Sequence, residues 1–419
     1  MPNTHNRGLL YSALQRFNNA LENLDLFRKE RDLIDNIGYL DNFFSNYRST
    51  TFVLQKSLSG TEFKVIYETL RDKYFNNDLG KWFVETRNEI EKQNPFDLNK
   101  CLYVTVYHPQ RATILVAKSF SVENDVPYSD IIDKFLAFIK ALQPIEVHFS
   151  IEFVFSKTGE SRDLYEDLIG GITAMVGFLR ELYSAIGDIT PLCENLISKI
   201  EAATFYKVPK EYLFIDDCVY YPTKDTFEIA DRQALLLKGE PISISQMFKS
   251  IKYPGIISDS KDFLKAIVWL HVFLYIKQNN SIMPTFFIVD KNNKCVADSF
   301  ESTIRTTVYR KINDLAKLVL QGNIKHITLV HEGYVYKDFS HHNEAYIDRV
   351  KYKSGEVLMF DQIGKYNKYR TYVLDVTRVN DAKYIKEMLK ERPEDNSQIE
   401  TSFFYPLYIA FKTIREAAQ

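Results

Sequence analysis

From Leu9 to Gln93 apolar residues return every three or four positions, and proline is absent. One stripe runs Leu10, Leu14, Phe17, Leu21, Leu24, and a second Ile34, Ile37, Leu40, Phe44, Tyr47. Phe63, Ile66, Tyr67 and Leu70 mark a third, and Leu79, Trp82, Phe83 and Ile90 a fourth. This period predicts four amphipathic helices. Breaks fall near Lys29–Asp32, Ser57–Gly60 and Asn76–Asp78, with Ser59 or Thr61 capping the third helix and Asp78 the fourth. The bundle should end at Asn94-Pro95, because a residue before proline avoids the helical region.

Beyond Pro95 the period becomes two. Cys101–Val106 and Thr113–Phe120 predict a hairpin around His108-Pro109-Gln110. Tyr128–Leu142 reads as a helix. Ile145–Phe155 reads as a strand with Glu146, His148, Ser150 and Glu152 on an outward polar face. Helices follow over Leu164–Ile186 and Pro191–Phe205, where Gly170, Gly171 and Gly177 predict close packing against another element. Prolines punctuate Tyr206–Tyr253, which reads as a connector with irregular β structure. The last block predicts helices over Asp262–Ile276, Thr303–Leu320, Asp381–Lys390 and Phe403–Ala417. Its strands are Thr285–Val289, Lys294–Asp298, His326–Tyr336, Glu356–Ile363 and Tyr369–Val376. The fold class is α+β: a helical bundle (1–98), an α+β segment packed on it (99–205), the connector (206–253) and a C-terminal α+β domain (254–419).

Composition narrows the function classes. With 53 Lys+Arg against 55 Asp+Glu, the chain lacks the basic excess of a dedicated duplex-DNA binder. Four scattered cysteines form no CxxC pair, so reduced thiols in a cytoplasmic protein are expected. The polar start, Met1 to Leu10, predicts no signal peptide. The stretches Ala266–Ile276 and Ile282–Val289 fall short of a membrane span. No GxSxG, GxxxxGK[ST] or GxGxxG occurs, and no cofactor is expected.

The most specific local feature lies at the end of the fourth helix, where Arg87-Asn88 stands six residues before Asn94. This resembles the HEPN family of small helical bundles, over about Leu9 to Phe96. Many members are metal-independent ribonucleases of conflict and phage-defence systems. Their signature is an Arg, often followed by a polar residue, with a His four to six positions on. The resemblance implies catalytic or binding roles for Arg87, Asn88 and Asn94, and a composite site between two protomers, hence a homodimer. At the His position stands Asn94, which shuttles no proton near neutral pH. The resemblance therefore implies a degenerate bundle that binds rather than cuts. Arg87 and Glu91 also make an ordinary i,i+4 pair.

Other candidates are less specific. Arg48, within Asn46-Tyr47-Arg48-Ser49, could face Arg87 across the bundle. His331-Glu332 and His341-His342-Asn343-Glu344 hold metal-ligand types, but their spacing is irregular, and no metal site is expected. Asp216-Asp217 reads as a turn. After residue 300, basic residues that include Arg305, Arg349, Lys351 and Arg370 interleave with Tyr309, Tyr366 and other tyrosines. Such a face serves single-stranded nucleic acid or a protein partner. The expected protein is a cytoplasmic accessory or binding protein acting through protein or RNA partners. Two alternatives stay open: an endoribonuclease with an Arg-centred composite site, and a scaffold without chemistry.

Overall fold

The computed structural model describes residues 8–122, 126–140, 146–187, 190–203, 205–208, 210–230, 236–278, 282–301, 304–337, 340–341, 344, 346–365, 369–379, 382–391, 399–400 and 402–418. It is α+β, with N-terminal helices and two sheets. Two compact units interleave along the chain: one holds 1–103, 118–137 and 152–215, the other 104–117, 138–151 and 216–419.

The first unit opens with α1 (Tyr11–Lys29), α2 (Leu33–Leu58), α3 (Lys64–Phe75) and α4 (Asp78–Lys92), the four periodic segments. Phe17, Leu21 and Leu24 of α1 are buried, as are Leu40, Phe43, Phe44 and Tyr47 of α2 and Trp82 and Phe83 of α4. The second stripe is rotated from the expected one: Ile34 is exposed, while Leu33 and Asn36 are buried. The caps differ too. Asn77, not Asp78, accepts the Gly80 N–H at the start of α4, and α3 begins at Phe63 without a side-chain cap.

Helix α6 (Leu164–Ile186) carries the predicted glycine face. A Cβ on Gly171 would lie 2.1 Å from the Phe83 ring, and one on Gly177 would lie 2.7 Å from Tyr74. The Tyr47 hydroxyl donates to the Gly171 carbonyl at 2.9 Å. A rigid ring cannot yield as a flexible chain end would, so Gly171→Ala should cost about 2–3 kcal/mol by overpacking. Urea unfolding measures it, and a loss under 0.5 kcal/mol would contradict this packing. Among the described residues, α6 is the one helix long and apolar enough, by length and composition, to cross a membrane.

One sheet orders β2-β1-β3-β4-β5: Ile114–Ser121, Leu98–Tyr107, Val147–Lys157, Ile215–Tyr221 and Thr226–Ile229. The predicted hairpin forms β1 and β2. The stretch read as an irregular connector instead supplies β4, buried from Asp216 to Tyr221. Asp216-Asp217 is thus inside a strand, not in a turn.

The larger sheet, in the second unit, orders β13-β12-β11-β10-β8-β9-β6 and is antiparallel, with β7 (Ile242–Ser243) beside β9. Its strands are β6 (Leu236–Lys238), β8 (Thr285–Asp290), β9 (Lys294–Phe300), β10 (Ile324–Tyr336), β11 (Lys353–Gly364), β12 (Arg370–Val379) and β13 (Ala382–Glu391). Helix α10 (Ser260–Gln278) packs Phe263, Leu264 and Ile267 with Phe287, Val330 and Phe360. The alternate strand positions Phe286, Ile327 and Leu329 pack with α11 (Arg305–Leu320) and α13 (Tyr405–Ala417). Both faces are covered, which is why β8 reads as a continuous apolar run.

The segment expected as a helix over Asp381–Lys390 is β13. Its residues favour helix locally, but β12 offers it a pairing edge, and pairing overrides propensity. The remaining helices are α5 (Tyr128–Lys140), α7 (Pro191–Ala202), α8 (Lys210–Leu213), α9 (Ile244–Ser250) and α12 (Tyr346–Arg349).

Candidate functional site

On α4, Arg87 Nη2 pairs with Glu91 Oε2 at 2.5 Å, and Nη1 donates to Asn88 Oδ1 at 3.2 Å. Its Nε is buried and makes no hydrogen bond among the described residues. Asn94 is exposed. Arg48 donates to its neighbour Thr51 at 2.7 Å. Beside the Arg87 pair on α4 stand Trp82, which donates to Glu160, and Glu89, paired with Lys157 at 2.7 Å.

A denser constellation sits in the second unit, where α11 begins. Thr306 in its first turn donates its hydroxyl to the Cys218 carbonyl of β4 at 2.7 Å. That hydroxyl has one hydrogen, so the His148 Nδ1, 2.9 Å away, must be the donor toward it. On the other side of the ring, the buried Nε2 lies 3.4 Å from Glu146 Oε1. Burial pulls the His148 pKa down, Glu146 opposes this, and the charges of Arg305 and Arg349 add to the lowering. The Tyr309 ring stands edge-on to the imidazole at 5.0 Å. Burial raises the Tyr309 pKa, while the guanidinium of Arg305, which reaches the hydroxyl, pulls it the other way.

Charge at this helix start is unusual. The first turn of α11 carries no acid, and Ile304 at its cap offers no side-chain hydrogen bond. A helix N-terminus attracts anions through its aligned amides. Here exposed Arg305 and half-buried Arg349 bring positive charge close to His148, and Glu146 brings negative charge. One turn further in, Arg310 grips Asp217 with two hydrogen bonds of 2.8 Å. That pair anchors α11 to β4, so the site is built on two rigid elements.

The polar face expected to look outward from β3 is covered. Glu146, His148 and Ser150 are all buried, because Thr306 and Tyr309 of α11 lie over His148, and Ser150 bonds the Tyr107 hydroxyl at 2.8 Å. Nor do the predicted tyrosines and basic residues form one exposed face. Tyr309 and Arg370 are buried, the latter donating to Ser260 and Gln362, while Lys351 is exposed and paired with Asp348. Tyr366 lies outside the described residues. Of the nominated set, Tyr309 and Arg349 share one site. His148 and Glu146 were visible only as strand residues. The available signal was an alternating strand whose polar positions include an ionisable pair.

The remaining metal-ligand types are separate. His331 Nε2 bonds the buried Asp361 at 3.1 Å, and Glu332 accepts the Ile282 N–H. His341 bonds Glu344 at 2.7 Å and stacks on Tyr352, while His342 and Asn343 lie outside the described residues. Glu30, Asp32 and Asp35 bring carboxylates together. There, Glu30 accepts the Arg31 and Asp32 N–H groups, and Asp32 accepts that of Tyr128, so these carboxylates shape the α1–α2 turn. The four cysteines are free thiols, and burial pushes Cys295 up to about 12.

Comparison with protein-family models, curated proteins and solved structures finds no match for this chain.

Proposed function

We propose that this chain is a cytoplasmic RNA-binding accessory protein that holds phosphate at the start of α11. The observation that supports this reading is the acid-free first turn of α11 flanked by Arg305 and Arg349, over the buried Tyr309–His148 pair. Guanidinium is well suited to this task, since its planar fork matches phosphate oxygens. The helical bundle is then a HEPN-like, non-cutting partner module, and a setting in bacterial phage defence comes with that resemblance.

Fluorescence anisotropy with a single-stranded RNA tests it. Arg305→Ala with Arg349→Ala should weaken binding about tenfold or more and flatten the salt dependence, because each lost phosphate contact removes a released counterion. Arg87→Ala should leave affinity unchanged, since Arg87 is committed to Glu91. Equal affinity in wild type and the Arg305/Arg349 double variant ends the reading.

A further inference from the structure

A cleft of about 590 Å³ opens in the second unit, well away in sequence from the α11 start. It lies between α9, the loop leading to α10, the β8–β9 turn at Asn293, and the first residues of β10. Its volume suits a small molecule. Phe248 and Tyr253, with ring centroids 5.6 Å apart, and Ile257 supply apolar wall, and Ile256 stands 86% exposed at the edge.

His326 also lines this cleft, although only 2% of its surface is exposed. Its Nδ1 is buried and makes no hydrogen bond among the described residues. The contrast with His271 on α10 is direct: that equally buried ring has its Nδ1 2.8 Å from the Ile267 carbonyl. An orphaned buried nitrogen is destabilising by about 1–3 kcal/mol, and native structures rarely keep one without a use. The Phe263 ring stands edge-on to the imidazole at 4.8 Å and fixes its plane.

Charge at the opening is positive. Lys249 is exposed there, and Lys325 is held by Asn293 at 2.8 Å. The one lining carboxylate, Asp259, accepts the Asp262 N–H at 2.8 Å, which favours its ionised form, so two ammonium groups face one carboxylate in the lining.

We propose that this cleft binds a nucleoside monophosphate. The heteroaromatic base packs on Tyr253 and Phe248 with an edge atom bonded to His326, and the phosphate sits between Lys249 and Lys325. A ring with polar edge atoms suits an apolar wall that contains an imidazole. A doubly charged phosphate suits two ammonium groups better than a single carboxylate would.

The test titrates the full chain with AMP, GMP, CMP and UMP, and separately with inorganic phosphate. It reads calorimetry together with the ¹⁵N side-chain signals of the histidines. At least one nucleotide should bind at sub-millimolar concentration and move the His326 signal, with inorganic phosphate about tenfold weaker or worse. Lys249→Ala with Lys325→Ala, both surface changes, should weaken the nucleotide about tenfold. His326→Phe should do the same through the lost hydrogen bond. Absence of any nucleotide effect on His326 at millimolar concentration overturns the proposal. So does inorganic phosphate binding as tightly as the best nucleotide, or undiminished binding in the lysine double variant. RNA binding that depends on Arg305 and Arg349 should persist in that variant, so the two sites succeed or fail separately.

Discussion

Asp217→Ala should lower the unfolding free energy by about 3–5 kcal/mol, the range for breaking a buried ion pair from one side. The reason lies in what remains. Arg310 is buried, with a side chain 7% exposed, and two of its nitrogens bond Asp217 at 2.8 Å. A second carboxylate, that of Asp314, lies 3.7 Å from the guanidinium and is half exposed. Removing Asp217 leaves a cation in low dielectric that water reaches poorly. Replacing both partners together, Asp217→Leu with Arg310→Met, should cost far less than the single change, because no charge is stranded. Urea unfolding of the three variants at constant m-value separates these outcomes. A single-variant loss below 1 kcal/mol would show that the pair is not what ties α11 to β4. The same variant should also weaken the RNA binding proposed for the α11 start, since Arg305 and Thr306 lie on the helix that this pair anchors.

Acid should destabilise the fold strongly between neutral pH and about pH 4, through histidines held neutral by burial. His271 lies between Phe287 and Phe360, with ring centroids 5.6 and 5.7 Å away, and burial pulls its pKa down to about 4 despite the bond to Ile267. Burial, reinforced by Lys325 and Arg370, pulls His326 down to about 3. His148 is lowered in the same direction. In the unfolded chain each imidazole takes a proton near pH 6.5. Below that value the unfolded state binds more protons than the folded one, so stability is full above about pH 6.5 and falls with pH until the folded-state pKa is reached. For His271 the gap corresponds to about 3 kcal/mol. Urea midpoints at pH 7, 5.5 and 4 read the effect. His271→Leu should show a shallower fall than wild type, and an identical fall would remove His271 from the account.

Parts of this molecule were legible in the chain because their causes are local. The four bundle helices follow from apolar spacing alone, and the breaks near Lys29–Asp32 and Asn76–Asp78 coincide with their ends. The glycine face of α6 was legible because a glycine inside an apolar helix implies a close neighbour; only the structure named Phe83 and Tyr74 as those neighbours. Strands β8 to β12 of the larger sheet were legible from their β-branched and aromatic runs, whereas β6 and β7 lay within the stretch read as an irregular connector. The segment that became β13 was not, because Ala, Lys, Glu, Met and Leu favour helix and its partner β12 acts only after the sheet assembles.

The candidate site divides the same way. Tyr309 and Arg349 stood out as an aromatic and a cation in a Tyr/Arg-rich stretch, and Arg87 as part of a short motif. His148 reads from sequence as the solvent side of a strand, because alternation assigns a polar residue outward. Thr306 of the helix that covers it lies 158 residues further on, and Asp217 meets Arg310 across 93 residues.

By itself the sequence determined the α+β class, the helical N-terminus, most element boundaries and a nearly even charge balance. Those properties depend on spacing within a few turns or on totals over the chain. Tertiary structure alone decided which polar residues are buried together: His148 with Glu146 and Thr306, Arg310 with Asp217, and His326 at the base of a cleft. Burial turns ordinary surface residue types into an imidazole hard to protonate, a buried ion pair and an orphan nitrogen. Burial is a property of what packs on a residue, and that partner is set by the fold rather than by neighbours in the chain.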